Sequence, residues 1–126
     1  MTRTKYNARK ICACGERFDS RREYTRWCEL KMLERSGEIR DLKRQVRYKL
    51  IPAQRDGKRL LERECAYIAD FTYQERAEGG WAPVVEDAKG VRTPEYIIKR
   101  KLMLYLHGIR VRAVSYTHLD CQVSPN

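Results

Sequence analysis

Two stretches of this chain carry helix punctuation at both ends, and almost everything between them reads as strand. Ser20 followed three residues on by Glu23 matches a capping box, and Gly37 is a C-terminal stop. Thr93 precedes Pro94 as N-cap before a first-turn proline, and Gly108 ends that second helix after His107. In the first helix Tyr24, Trp27, Cys28 and Leu30 fall on one broad face at a period of about 3.6 residues. Residues 39–42, 45–51, 60–73 and 82–89 read as strands; Pro52 ends the second, with Val46, Tyr48 and Leu50 on one face. Asp56-Gly57 marks a turn, residues 74–80 a charged turn ending in glycine, and residues 109–114 a last short strand. Ahead of the first helix, residues 11–14, a turn at Gly15 and Arg17-Phe18 suggest a hairpin. The order hairpin, helix, strands, helix, strand predicts an α/β fold.

The 126 residues suffice for one domain with a modest core. Residues 1–10 read as a flexible basic arm, 11–114 as the domain, and 115–126 as a tail that breaks the pattern. The run Val114-Ser115-Tyr116-Thr117-His118-Leu119-Asp120 resembles read-through of a sequencing adaptor, so the tail is expected to be non-native or a disordered terminus. Lys and Arg number 27 against 17 Asp and Glu, a formal net charge of +10, which favours a polyanionic partner, nucleic acid first. No apolar stretch has the length of a membrane span, and the start shows no secretory signal. Five cysteines, Cys12, Cys14, Cys28, Cys65 and Cys121, fit reduced thiols in the cytoplasm. Cys12-Ala13-Cys14 has no second ligand pair of the kind a structural zinc site needs.

Three charged residues interrupt the apolar runs. Asp70 stands inside residues 60–73, and Asp87 and Lys89 close residues 82–89. Strand alternation puts Asp87 and Lys89 on one face and Val84, Glu86 and Ala88 on the other, while Asp70 shares a face with Ala66 and Ile68. Carboxylates at neighbouring strand ends can share a hard divalent cation through oxygen. A lysine beside them can orient or activate an attacking water and offset charge on a phosphate. By itself a D-x-K is common and equally describes an exposed ion pair. Glu23, Trp27 and Leu30 form one stripe of the first helix, with Glu34 nearer its exposed end. A carboxylate on a packed face is costly unless paired or coordinating. Glu23 either completes the capping box or joins the acids.

The runs Lys5-Tyr6-Asn7, Phe18-Asp19-Ser20-Arg21-Arg22-Glu23, Gly37-Glu38-Ile39 and residues 42–45 resemble, in order, a small phage and prophage family, domain of unknown function 1064. So do Tyr67-Ile68-Ala69-Asp70-Phe71, Val84-Val85-Glu86-Asp87-Ala88-Lys89-Gly90 and the second helix with Lys99-Arg100-Lys101. The resemblance covers roughly residues 5–114. The family looks like a branch of the PD-(D/E)XK nuclease superfamily, close in pattern to phage junction-resolving endonucleases and transposon end-cleaving nucleases. That resemblance implies a restriction-endonuclease-like mixed β-sheet flanked by helices, with a Mg²⁺ (or Mn²⁺) site. It places the helix carboxylate on Glu23, the first strand acid on Asp70, and the D/E-x-K on Asp87 and Lys89. Asp70, Asp87 and Glu23 are then the expected metal ligands. Gln45 matches a recurring polar position, where it lines the site or pairs with backbone. Ala69 stands where the superfamily often has proline.

The expectation is a metal-dependent endodeoxyribonuclease, of phage or prophage origin, acting on branched or duplex DNA in the bacterial cytoplasm. Lys89 would position the attacking water, and Arg92, Lys99, Arg100 and Lys101, with the basic arm, would contact phosphates. Two cuts in a junction favour a homodimer. The rival reading is a non-catalytic DNA-binding or packaging accessory that keeps the fold. A weaker one is an RNA-binding module stacking bases on Tyr67, Phe71 and Tyr73, residues that alternation and Cys65 instead assign to the core.

Overall fold

Ser20 caps the first helix. In the computed structural model, which describes residues 11–13, 16–18, 20–88 and 92–114, its extended backbone sets the Ser20 hydroxyl to accept from the Glu23 amide at 3.1 Å. A cap of this kind contributes about 1 kcal/mol. Helix α1 then runs Arg21–Arg35, and Gly37 takes the left-handed conformation (φ 85°) just after it. The short strands β1 (Ile11–Ala13) and β2 (Glu16–Phe18) pair antiparallel ahead of it, as the sequence suggested. Helix α2 spans Pro94–His107, with Thr93 as N-cap and Gly108 at φ 69° closing it. Arg92 lies just before this helix, not in it.

The strands depart further from expectation. Residues 39–42 and 45–51 form one strand, β3 (Ile39–Ile51). The run 60–73 is split: β4 (Gln54–Asp56) and β5 (Arg59–Glu62) make a separate hairpin around Gly57 (φ 64°), and both strands are exposed throughout. Then β6 runs Cys65–Ala77, through most of the segment read as a charged turn, and β7 starts at Gly80 and ends at Asp87. The charged stretch is strand because Gln74, Glu75, Arg76 and Ala77 keep ladder partners in β7. A two-residue β8, Arg112–Ala113, completes a four-stranded mixed sheet of order β3-β6-β7-β8. Its first two pairings are antiparallel, and β7 with β8, joined through α2, is parallel.

The two helices flank this sheet on opposite faces. Leu30 of α1 packs with Ile39, Phe71, Tyr73, Val84 and Ala88; Met103 of α2 packs with Leu50, Tyr67, Ala69 and Val85. Val84 and Val85 are neighbours in one strand, so the clusters lie on either side.

Along β3 and β6 the inward face changes sides partway. Leu42 and Arg44 turn to α1, whereas Tyr48 and Leu50 turn to the α2 cluster. On β6, Tyr67 and Ala69 serve the α2 cluster, but Phe71 and Tyr73 serve the α1 cluster. Uniform alternation would keep all four on one side, as the sequence reading assumed. The exchange happens at Gln45, whose φ is 53°, and at Asp70. The flanking pairs Arg44↔Phe71 and Val46↔Ala69 set these two residues opposite each other. Asp41, at φ 57°, marks a second irregularity, where β3 carries one extra residue between Arg40 and Lys43.

Candidate functional site

Asp70 and Asp87 meet at the end of β7. The last ladder pair between β6 and β7 is Phe71↔Glu86, and one step further brings Asp70 beside Asp87. Both carboxylates are buried, 3% and 7% exposed. Asp70 Oδ2 accepts from the Ala88 amide at 2.8 Å, and Asp87 Oδ2 accepts from the Tyr67 hydroxyl at 2.8 Å. These bonds help to fix the orientation of the two carboxylates. Burial first, and then the charge of Asp87, push the Tyr67 phenol well above its ordinary range; it therefore stays a donor at physiological pH.

Glu23 is 3% exposed on α1. Its amide serves the cap, while carboxylate Oε2 accepts from Gln45 Nε2 at 3.0 Å and Arg44 Nη2 at 3.3 Å. Arg44 also donates to the Arg17 carbonyl at 2.9 Å and lies 4.1 Å from the centre of the Phe18 ring. Among the described residues no three His, Cys, Asp or Glu side chains gather as a metal-holding set. The structure thus brings Asp70 and Asp87 together, and links Glu23 to their neighbourhood through Gln45, the residue opposite Asp70. Lys89 lies outside the described residues, as does the basic arm.

Glu86 belongs to the other face, as alternation predicted. It is fully buried against α1, accepting from Arg26 Nε at 2.6 Å, Arg26 Nη2 at 3.0 Å and the Tyr73 hydroxyl at 2.6 Å. A forked guanidinium–carboxylate contact is among the stronger polar interactions. Burial pulls the Arg26 pKa down, but the hydrogen bond and charge of Glu86 outweigh it and the net shift is upward.

The cations expected to meet phosphates are not equivalent. Arg92 and Lys101 are exposed; Lys99 pairs with Glu95 one turn back at 3.1 Å; the Arg100 guanidinium lies 5.9 Å from the Tyr96 ring centre. Arg100, Lys101 and Arg110 line a small cavity with Leu104 and Val111. A larger groove, about 490 Å³, holds Lys43, Arg110 and Arg112 along the sheet beyond the end of α2. Tyr67, Phe71 and Tyr73 are core residues, at most 5% exposed, and present no face for stacking bases.

Sequence reasoning missed Arg44, Tyr67 and Tyr96. Tyr67 carried a signal: a hydroxyl three residues before an acid that interrupts an apolar run.

Fold and site together define a basic α/β protein with two buried acids where the ladder between its two inner strands ends. Residues 3–120 match the family described as Protein of unknown function (DUF1064), and the chain belongs to that family. No curated protein and no solved structure matches it. No helix among the described residues is long and apolar enough to cross a membrane.

Proposed function

We propose that this chain is a metal-dependent endodeoxyribonuclease of the PD-(D/E)XK type, of phage or prophage origin, acting on branched DNA. The observation that carries the reading is the Asp70–Asp87 pair. Two buried carboxylates on facing positions, where the ladder between β6 and β7 ends, are an arrangement that a shared divalent cation suits, since its charge offsets their repulsion and desolvation. Two carboxylates with water and substrate oxygens suit the way Mg²⁺ is held, so the donor set fits that ion. When bound, such an ion lowers the pKa of its water and polarises the phosphate. The protein's own part is to orient the two acids through Ala88 and Tyr67, and to supply cations for the phosphates. Lys89 is the proposed residue for positioning the attacking water, Glu23 a further carboxylate acting through Gln45 or water, and Arg92, Lys99, Arg100 and Lys101 the proposed phosphate contacts. A homodimer would let two cuts be made in one junction.

The test is a panel of labelled four-way, flapped, nicked and linear DNAs with Mg²⁺ or Mn²⁺. Cleavage is expected with either ion and should disappear in Asp70→Ala, Asp87→Ala and Lys89→Ala. Undiminished cleavage in excess EDTA refutes the reading. A DNA-binding accessory without catalysis is the second reading, favoured by Glu23 standing outside any three-residue donor set among the described residues. Calorimetry with Mn²⁺ separates the two: an enzyme shows a site that Asp87→Ala removes, an accessory shows none.

A further inference from the structure

Tyr96 sits in the first turn of α2, its amide donating to Thr93 Oγ1 at 3.1 Å. Its ring packs against the cluster that contains Leu50, Tyr67, Ala69, Val85 and Met103. Tyr67 in that cluster is the residue that holds Asp87. Arg100 covers the ring from one turn further along α2. The Tyr96 hydroxyl oxygen is buried, yet it has no hydrogen-bond partner among the described residues. Phenylalanine would fill the same space without leaving a buried hydroxyl unsatisfied, so the oxygen has no packing explanation. Burial, and after it the negative charge of Asp87, raise the Tyr96 phenol and keep the hydroxyl a donor. The Arg100 guanidinium, 5.9 Å from the ring centre, is a cation on the same side chain.

A buried donor without an acceptor among the described residues, packed in the cluster whose Tyr67 bonds Asp87 and covered by the Arg100 guanidinium, is matched by an anionic oxygen. We propose that the Tyr96 hydroxyl donates a hydrogen bond to a non-bridging oxygen of the phosphodiester held at Asp70 and Asp87, making Tyr96 a catalytic residue. The inference rests on the nuclease reading and adds to it a residue that fixes the phosphate. A donor aimed at an oxygen that gains charge acts mainly on kcat, because the bond strengthens as the transition state is approached.

The experiment compares the full chain with Tyr96→Phe and Asp87→Asn. Steady-state cleavage of a branched DNA with Mg²⁺ is measured alongside thermal unfolding without DNA or metal. For Tyr96→Phe, kcat is expected to fall about 10-fold or more with KM changed less than about 2-fold. Its Tm should equal or exceed that of the wild type, since only an unpartnered hydroxyl is removed. A kcat within about 2-fold of wild type overturns the proposal, and so does a clear drop in Tm, which would reveal a structural partner. Loss of cleavage in Asp87→Asn with a neutral Tyr96→Phe rejects the Tyr96 role alone. Retained cleavage in Asp87→Asn, or none in the wild type, rejects the nuclease reading and this inference with it.

Discussion

Replacing Arg26 by Met isolates the buried bond that fastens α1 to β7. The Glu86 side chain is 0% exposed and Arg26 only 18%, so solvent screens this pair little. Arg26→Met keeps the length and apolar stem of the side chain but removes both bonds to Glu86, leaving the carboxylate with the Tyr73 hydroxyl at 2.6 Å. Stranding one member of a buried ion pair costs about 3–5 kcal/mol. A domain of this size holds roughly 5–15 kcal/mol in total, so the variant should sit near the edge of folding. Glu86→Gln is milder, about 1–2 kcal/mol, because the amide oxygen still accepts from Arg26 and Tyr73. The double variant has no buried charge left, and its carboxamide at position 86 retains the Tyr73 hydroxyl as donor. It should therefore be more stable than Arg26→Met alone, by about 1–3 kcal/mol, in a urea-unfolding cycle. A double variant as unstable as the sum of its parts would refute the claim that an uncompensated charge, and not lost packing of Arg26, sets the cost.

Two other perturbations test the fold around the acids. The phenols of Tyr67 and Tyr73 are both pushed up, chiefly by burial and then by Asp87 and Glu86 respectively, above the unfolded value of about 10. Stability from this source is complete below about pH 10 and declines as pH rises above it, by up to about 1.4 kcal/mol per pH unit for each tyrosine. Urea titrations between about pH 9 and pH 12 should show the decline, and Tyr67→Phe or Tyr73→Phe should flatten it; equal slopes in all three proteins would contradict the assignment. At Gln45, φ 53° disfavours a β-branched side chain, so Gln45→Val should lose about 2–4 kcal/mol, strain and the Glu23 bond together. Gln45→Gly should lose only the bond, and equal losses for the two would mean that the backbone turn at this position is unimportant.

Both helices were legible because each is punctuated by local chemistry: a hydroxyl cap at Ser20 or Thr93, and a glycine at 37 or 108 that adopts positive φ. The β4–β5 hairpin was half legible. Asp56-Gly57 announced the turn, but Leu60 and Leu61 made the following residues look like the start of a buried strand; both are exposed. The exchange of faces at Gln45 and Asp70 left no trace, because period-2 reasoning assumes one parity per strand and no glycine marks the break. Asp70 and Asp87 were singled out by their place in apolar runs, and the structure puts them side by side. The setting of Glu23 depends on Arg44 and Gln45, 21 and 22 residues away in the chain, and no local pattern encodes a contact of that kind.

The change of sides within β3 and β6 makes their residue count as restrictive as their composition. The two exchanges answer each other across the ladder. Removing Gln45 alone would restore plain alternation in β3 while β6 kept its own break, leaving Asp70 with no residue opposite and Glu23 without its amide donor. Adding one residue between 46 and 48 would rotate Tyr48 and Leu50 out of the α2 cluster while leaving the Glu23 side undisturbed. Substitution can drift widely along these strands, whereas insertions and deletions are absorbed far more easily in the exposed hairpin at residues 54–62. Length variation among relatives of this chain is therefore expected to gather in that hairpin and to spare the strands that converge on Asp70.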